Sequence, residues 1–181
     1  MTCTTIIING FARAGKDTFV DACQMLMNQT KWVYAFSSID PVRSLLRDLA
    51  KVDISKKTDA DRKLMAEVGA ALEAHSNWRT DKCVDWVAGK AAWAQHNSRD
   101  TVLFLHIREP ENIAKVSAQI ADRCLGVVHT LLLRSPREIM PDNVADNAVL
   151  GMEYEDTIHN DSGLAALSDK AHAYLIKKGL A

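Results

Sequence analysis

The residues best equipped for chemistry are Gly10, Arg13, Ala14, Gly15, Lys16, Asp17 and Thr18. They stand between the apolar β-branched run Ile6-Ile7-Ile8 and a segment with apolar residues at helical spacing: Phe19, Val20, Cys23, Met25, Leu26 and Met27. Strand, glycine-bounded loop, lysine and helix in that order form the layout of a phosphate-cradling P-loop. Glycines let the backbone turn its N–H groups inward around an anion, and the start of the helix adds unpaired donors and positive dipole. Lys16 supplies a mobile cation for β- and γ-phosphates. The alternative is a glycine turn between an ordinary strand and helix; the spacing, the flanking strand and the flanking helix together favour the P-loop.

One position departs from the common pattern. Ser or Thr usually follows the lysine and holds Mg²⁺; here Asp17 follows, then Thr18. Either Thr18 takes that role from one residue further along, or Asp17 reaches the metal directly or through a water. A carboxylate beside phosphates is otherwise unfavourable, so a cation there is the natural inference.

Such a loop needs a sheet to hold it. Lys31–Phe36, Thr101–Ile107, Val127–Leu133 and Thr157–Asp161 read as further strands, separated by segments of helical periodicity. The alternation predicts one α/β domain over residues 1–181, with about five mostly parallel strands covered on both faces. Asp40-Pro41 reads as an N-cap and first helical residue, opening a helix that ends near Lys51. Thr58-Asp59-Ala60-Asp61 resembles a capping box, Asn77–Thr80 breaks the pattern, and Gly126 reads as a helix terminator.

Ligands of such sheets sit beyond the carboxyl ends of the strands. That rule selects Asp40, Arg108, Glu109, Arg134, Arg137 and Asn160 alongside the loop. Arg134 and Arg137 could fold over a transferring phosphoryl group as a small lid within 134–156, because guanidinium matches phosphate geometry; the alternative is two solvated loop arginines. Arg108 suits an acceptor nucleotide or its phosphate, or else a structural ion pair. Glu109 could serve Mg²⁺, directly or at one remove, since His106 and Ile107 stand where a strand-terminal Asp is expected. Asp40 separates the acceptor classes. A phosphate acceptor, with a second pKa of ~6, needs no base. A hydroxyl acceptor benefits from a carboxylate in reach. Asp40 could equally be a cap and nothing more.

The remaining features are bland. The chain is 48% hydrophobic and 25% charged with net charge −1, so no overall basic field advertises nucleic-acid binding. Lys56, Lys57, Arg62, Lys63, Arg79 and Lys82 could form a local basic surface or simply a solvated face. Cys3, Cys23, Cys83 and Cys124 form no Cys-x-x-Cys pair, and the six histidines show no metal-ligand spacing. His106 reads as a core histidine, and Trp86 and Trp93 as packing residues. With no signal peptide or long apolar span, a cytoplasmic protein with no membrane partner is expected.

Gly10…Gly15-Lys16-Asp17-Thr18, Ile107-Arg108-Glu109-Pro110-Glu111, Leu133-Arg134-Ser135-Pro136 and Thr157–Gly163 together resemble the phage deoxynucleoside monophosphate kinase group. The chain is most similar there to the kinases that phosphorylate 5-hydroxymethyldeoxyuridine already inside DNA. Residues from about 51 to 100 carry no matching motif. The resemblance implies a P-loop three-layer α/β/α fold of the nucleoside monophosphate kinase type. It also implies ATP, Mg²⁺, and a base-borne hydroxymethyl acceptor in modified duplex DNA within the host cytoplasm. Asp17 is itself typical of that group. Lys16, Asp40, Arg108, Arg134 and Arg137 would carry the chemistry, with Gly10, Arg13, Ala14, Gly15, Lys16, Asp17, Thr18 and Asn160 on the nucleotide and Asp17, Thr18 and Glu109 around the metal. Two alternatives stay open: a kinase of free deoxynucleoside monophosphates, and a P-loop protein that binds nucleotide without turnover. The oligomeric state is open too, a homodimer included.

Overall fold

In the computed structural model, residues 2–27, 30–56, 58–136 and 148–181 are described. Five strands form one sheet: β1 (Cys3–Asn9), β2 (Trp32–Ser37), β3 (Thr101–His106), β4 (Val127–Arg134) and β5 (Asp156–His159). Their order is β2-β3-β1-β4-β5, and every pairing is parallel. The helices are α1 (Lys16–Met27), α2 (Asp40–Ser44), α3 (Asp59–Ser76), α4 (Trp78–His96), α5 (Pro110–Asp122) and α6 (Gly163–Lys177). A π-helical stretch at Leu45–Leu49 follows α2, and a 3₁₀ turn at Ala148–Gly151 precedes β5.

Both faces of the sheet are covered, which explains the unbroken apolar run in β1. Ile6 and Ile8 point to one side with Phe104, Leu131 and Leu133, against Phe19 and Cys23 of α1 and Leu167 and Leu175 of α6. Ile7 points to the other side with Leu103 and Leu105, against Val84 and Val87 of α4 and Ile113, Val116 and Ile120 of α5. Each such buried aliphatic side chain contributes about 1.5–3 kcal/mol. A smaller cluster of Val42, Leu46, Ile54 and Met65 joins α2 and α3. Trp86 stacks on Phe36 at 5.0 Å and Trp93 lies tilted against Trp32 at 3.5 Å, so both tryptophans pack against β2 as expected.

The register lines up the carboxyl ends. Ile8 pairs with His106, His106 with Ser37, Asn9 with Leu132, and Arg134 with His159. The capping box at α3 is present, with Thr58 Oγ1 accepting from Asp61 N–H and Asp61 accepting from Thr58 N–H.

Four expectations are corrected. Asp40 is not the cap of α2: Ile39 occupies that position and Asp40 lies inside the first turn. The helix from Asp40 does not run evenly to Lys51 but widens into the π stretch after Ser44. The break near residue 77 is a single residue, Asn77, left-handed at φ 54°, and α4 starts directly at Trp78. Helix α5 ends before Gly126, at Asp122, and Cys124 takes the left-handed conformation. All four cysteines are free. Among the described residues, no helix is long and apolar enough to cross a membrane.

Candidate active site

The loop after β1 has the conformation its sequence demands. Gly10 has φ 144°, and a Cβ there would lie 2.2 Å from the Leu133 carbonyl oxygen of β4. Gly15 has φ 94°, and a Cβ there would lie 2.5 Å from Asn160 Nδ2. Both positions therefore exclude side chains twice over, by dihedral and by space. Helix α1 begins at Lys16, and Phe19 N–H already bonds the Gly15 carbonyl. Lys16 Nζ donates to the carbonyls of Gly10 (2.6 Å) and Phe11 (2.8 Å), so its ammonium lies across the mouth of the loop.

Asn160 belongs to the same unit. Its Nδ2 donates to the Ala14 carbonyl at 3.0 Å, and its own N–H donates to the Arg134 carbonyl at 2.7 Å. Asn160 thus supports the loop from the β5 side and ties it to the end of β4, where half-buried Arg134 stands. Arg137, and the lid expected over 134–156 between residues 137 and 147, lie outside the described residues.

Asp17 is exposed at the first turn of α1, and Thr18 is half-buried beside it. Asp17 Oδ1 lies 3.8 Å from His106 Nδ1. His106, read from sequence as a core histidine, is largely buried but faces the loop. Burial lowers its pKa, and the neighbouring Lys16 charge adds to this against the opposing pull of Asp17 and Asp40; the ring is neutral at pH 7. The donors available to Mg²⁺ here are the hard oxygens of Asp17 and Thr18. That set fits an ion which keeps several waters and binds through one or two protein oxygens plus substrate phosphates. Among the described residues, no three His, Cys, Asp or Glu side chains converge on a metal position.

Glu109 is engaged elsewhere. Its Oε1 accepts from Arg79 Nη1 at 3.0 Å, and the Arg79 side chain is only 7% exposed. Arg79 is therefore withdrawn from the basic surface proposed for it, whereas Lys56, Arg62, Lys63 and Lys82 are exposed. Arg79 sits in a buried polar cluster at the start of α4. Glu73 accepts from the N–H groups of Arg79 (2.9 Å) and Thr80 (3.1 Å) and from Thr80 Oγ1 (2.6 Å). With the Asn112 amide oriented by its partners, its oxygen accepts from Arg79 Nη2 at 3.0 Å and its nitrogen donates to Glu73 at 3.2 Å. Burial pushes the Glu73 carboxyl up, but the Thr80 hydrogen bonds and the Arg79 and Lys115 charges outweigh it and hold the pKa below its ordinary value.

At the end of β2, Asp40 Oδ2 accepts from Ser37 N–H at 3.0 Å, and Oδ1 pairs with Arg43. The carboxylate thus turns back toward the strand end instead of capping its own helix. Arg108 is exposed at the end of β3. Its carbonyl accepts from Asn9 Nδ2 at 2.9 Å.

Sequence reasoning missed Asn9, Arg43 and Tyr154. Asn9 is fully buried at the end of β1, and its Nδ2 also donates to Tyr154 Oη at 2.8 Å. The available signal was a polar residue closing the Ile6-Ile7-Ile8 run immediately before Gly10.

No family model matches the sequence, and no curated protein matches it by sequence. Solved structures do match in shape. The APS kinase of Mycobacterium tuberculosis, in complex with AMPPNP and APS, is similar with TM-score 0.51 and 12% identity over 97% of this chain and 98% of that one. The shikimate kinase of Aquifex aeolicus is similar with TM-score 0.50 and 11% identity, again over 97% and 98%. The five-stranded parallel sheet, its helical layers and these likenesses give the chain the three-layer α/β/α fold of P-loop kinases.

Proposed function

We propose that this chain is an ATP-dependent kinase of a nucleotide acceptor, and that the acceptor is the 5-hydroxymethyl group of 5-hydroxymethyldeoxyuridine in phage DNA. The donor half is the loop. Gly10 and Gly15 give the backbone its cradle, Lys16 meets the β- and γ-phosphates, and Asn160 holds the loop from behind. Asp17 and Thr18 would hold Mg²⁺, which supplies charge neutralisation on the phosphates. Both solved structures named above are kinases, which agrees with this half of the reading.

The observation that carries the hydroxyl acceptor is the state of Asp40. Its carboxylate is not spent on capping α2 and is held at the strand edge by Ser37 and Arg43. In the proposed step the acceptor oxygen attacks the γ-phosphorus, the bond to the ADP oxygen breaks, and the hydroxyl proton passes to Asp40. Arg108 and Arg134, at the ends of β3 and β4, would steady the nucleotide acceptor and the moving phosphoryl group, with Arg137 joining Arg134 in a small lid.

Free deoxynucleoside monophosphate is the second reading. It is favoured by the net charge of −1 and by the loss of buried Arg79 from any DNA-facing surface. The test is direct. The protein is incubated with γ-labelled ATP and, separately, duplex DNA containing 5-hydroxymethyluracil, ordinary duplex DNA, and each deoxynucleoside monophosphate. Label on the modified duplex alone supports the proposal. Label on a free monophosphate overturns the choice of acceptor, and ATP binding without transfer to any of them overturns the kinase.

A further inference from the structure

Asn9 uses its whole amide. Nδ2 donates to the Arg108 carbonyl (2.9 Å) and to Tyr154 Oη (2.8 Å), while Oδ1 accepts from Gly10 N–H (2.7 Å). Tyr154 Oη in turn donates to the Val149 carbonyl at 3.0 Å. Beneath this chain of bonds, buried Phe11 of the loop packs with Leu132 of β4, Val149 and the Tyr154 ring. Three pieces of backbone therefore meet at one buried side chain: the start of the phosphate loop, the end of β3, and the segment that returns to β5. Glycine at position 10 has no side chain to hold itself, and its φ of 144° is held from outside through the Asn9 side-chain Oδ1.

We propose that Asn9 and Tyr154 are positioning residues for the phosphate loop, acting as one hydrogen-bonded unit that fixes Gly10 and Phe11 relative to the carbonyl end of β3. The inference rests on the nucleotide-binding half of the proposed function. Tyr154 touches no phosphate and acts through Asn9. Removing its hydroxyl leaves one Asn9 N–H and the Val149 carbonyl unpaired in a buried setting, which relaxes by moving the amide that holds Gly10. Burial raises the Tyr154 pKa, so the hydroxyl stays protonated and available as a donor at physiological pH.

The probe is AMPPNP with Mg²⁺, its affinity measured by calorimetry well below the melting temperature, together with Tm for every variant. Tyr154→Phe is expected to fold and to weaken AMPPNP by about tenfold, in line with a buried donor left unpaired. Asn9→Asp, which keeps an acceptor for Gly10 but loses both donors, is expected to weaken it at least as much. The double variant should be no weaker than Asn9→Asp alone, because a single unit is broken once. A purely structural tyrosine would lower Tm and leave the affinity of the folded protein within about twofold; that result overturns the inference. If Asn9→Asp fails to fold, Tyr154→Phe decides alone. Wild-type protein that binds no AMPPNP would sink the nucleotide reading itself and this inference with it, an outcome distinct from wild type and Tyr154→Phe binding equally.

Discussion

Arg79 Nη1 and Glu109 Oε1 meet at 3.0 Å across the junction of α4 with the end of β3. The guanidinium is nearly buried and the carboxylate about one-third exposed. Arg79 also donates to the Asn112 side-chain amide oxygen, so it joins α4 to α5 as well as to the strand end. The ion pair keeps Glu109, and with it the adjoining Arg108, at a fixed place on the carboxyl edge of the sheet.

Breaking that pair from one side leaves a partly exposed carboxylate without its cation. Arg79→Met should destabilise the protein by about 2–3 kcal/mol, toward the low end for buried pairs because Glu109 is partly exposed. Adding Glu109→Gln should recover part of the loss. Urea unfolding of the three proteins checks this, and a single-variant loss below about 0.5 kcal/mol would count the pair as surface-like.

Asp40→Asn tests the proposed base. Phosphate transfer to 5-hydroxymethyluracil in duplex DNA should fall by roughly 10²–10⁴-fold, with Tm little changed, since the amide oxygen can still accept from Ser37 N–H. Near wild-type transfer by this variant would remove the base role from Asp40. A monophosphate kinase would keep most of its activity.

The two glycine sites with opposite surroundings should respond in opposite directions. Gly15→Ala forces a Cβ toward Asn160 Nδ2 at a φ that disfavours it, and should weaken AMPPNP by at least about tenfold. Gly89→Ala places a Cβ where nothing lies within 4 Å, in the interior of α4. It should stabilise the protein by about 0.5–1 kcal/mol with no change in nucleotide affinity. Thermal melts and calorimetry on the pair would show whether the loop or the helix is misjudged.

Glu73 makes stability depend on pH in a defined direction. Its folded pKa lies below its unfolded value, so its contribution is present above about pH 4.3 and is lost as pH falls through the folded pKa. Wild type should therefore lose stability more steeply than Glu73→Gln between about pH 5 and pH 3. Parallel urea midpoints for the two proteins over that range would contradict the assignment.

The loop after β1 was legible because its signals are local. Strand, glycines, lysine and helix follow one another within Ile6–Thr18, and the expected dihedrals appear at Gly10 and Gly15. The capping box at Thr58 and Asp61 was legible for the same reason. The contacts at the other strand ends were not, because they skip across the chain. Arg79 reads as one more helical cation until Glu109, thirty residues later, arrives beside it. Asp40 before Pro41 has the sequence of a cap, but a shorter loop contact to Ser37 N–H competes for the carboxylate and wins. Tyr154 stands 145 residues from Asn9, and no spacing rule links a tyrosine after an irregular stretch to the last residue of the first strand.

Strand order divides the site mechanically. The phosphate loop grows from β1, which has a parallel neighbour on each side and helices above and below, while Asp40 follows β2, which has a neighbour on one side only. Backbone amides of β1 should thus exchange with solvent only on near-global opening, and those of β2 by cheaper local fraying. On the proposed reading, the loop that takes the triphosphate grows from the doubly paired centre of the sheet, and the side that takes the acceptor hangs from its margin, where local opening leaves the donor loop in place.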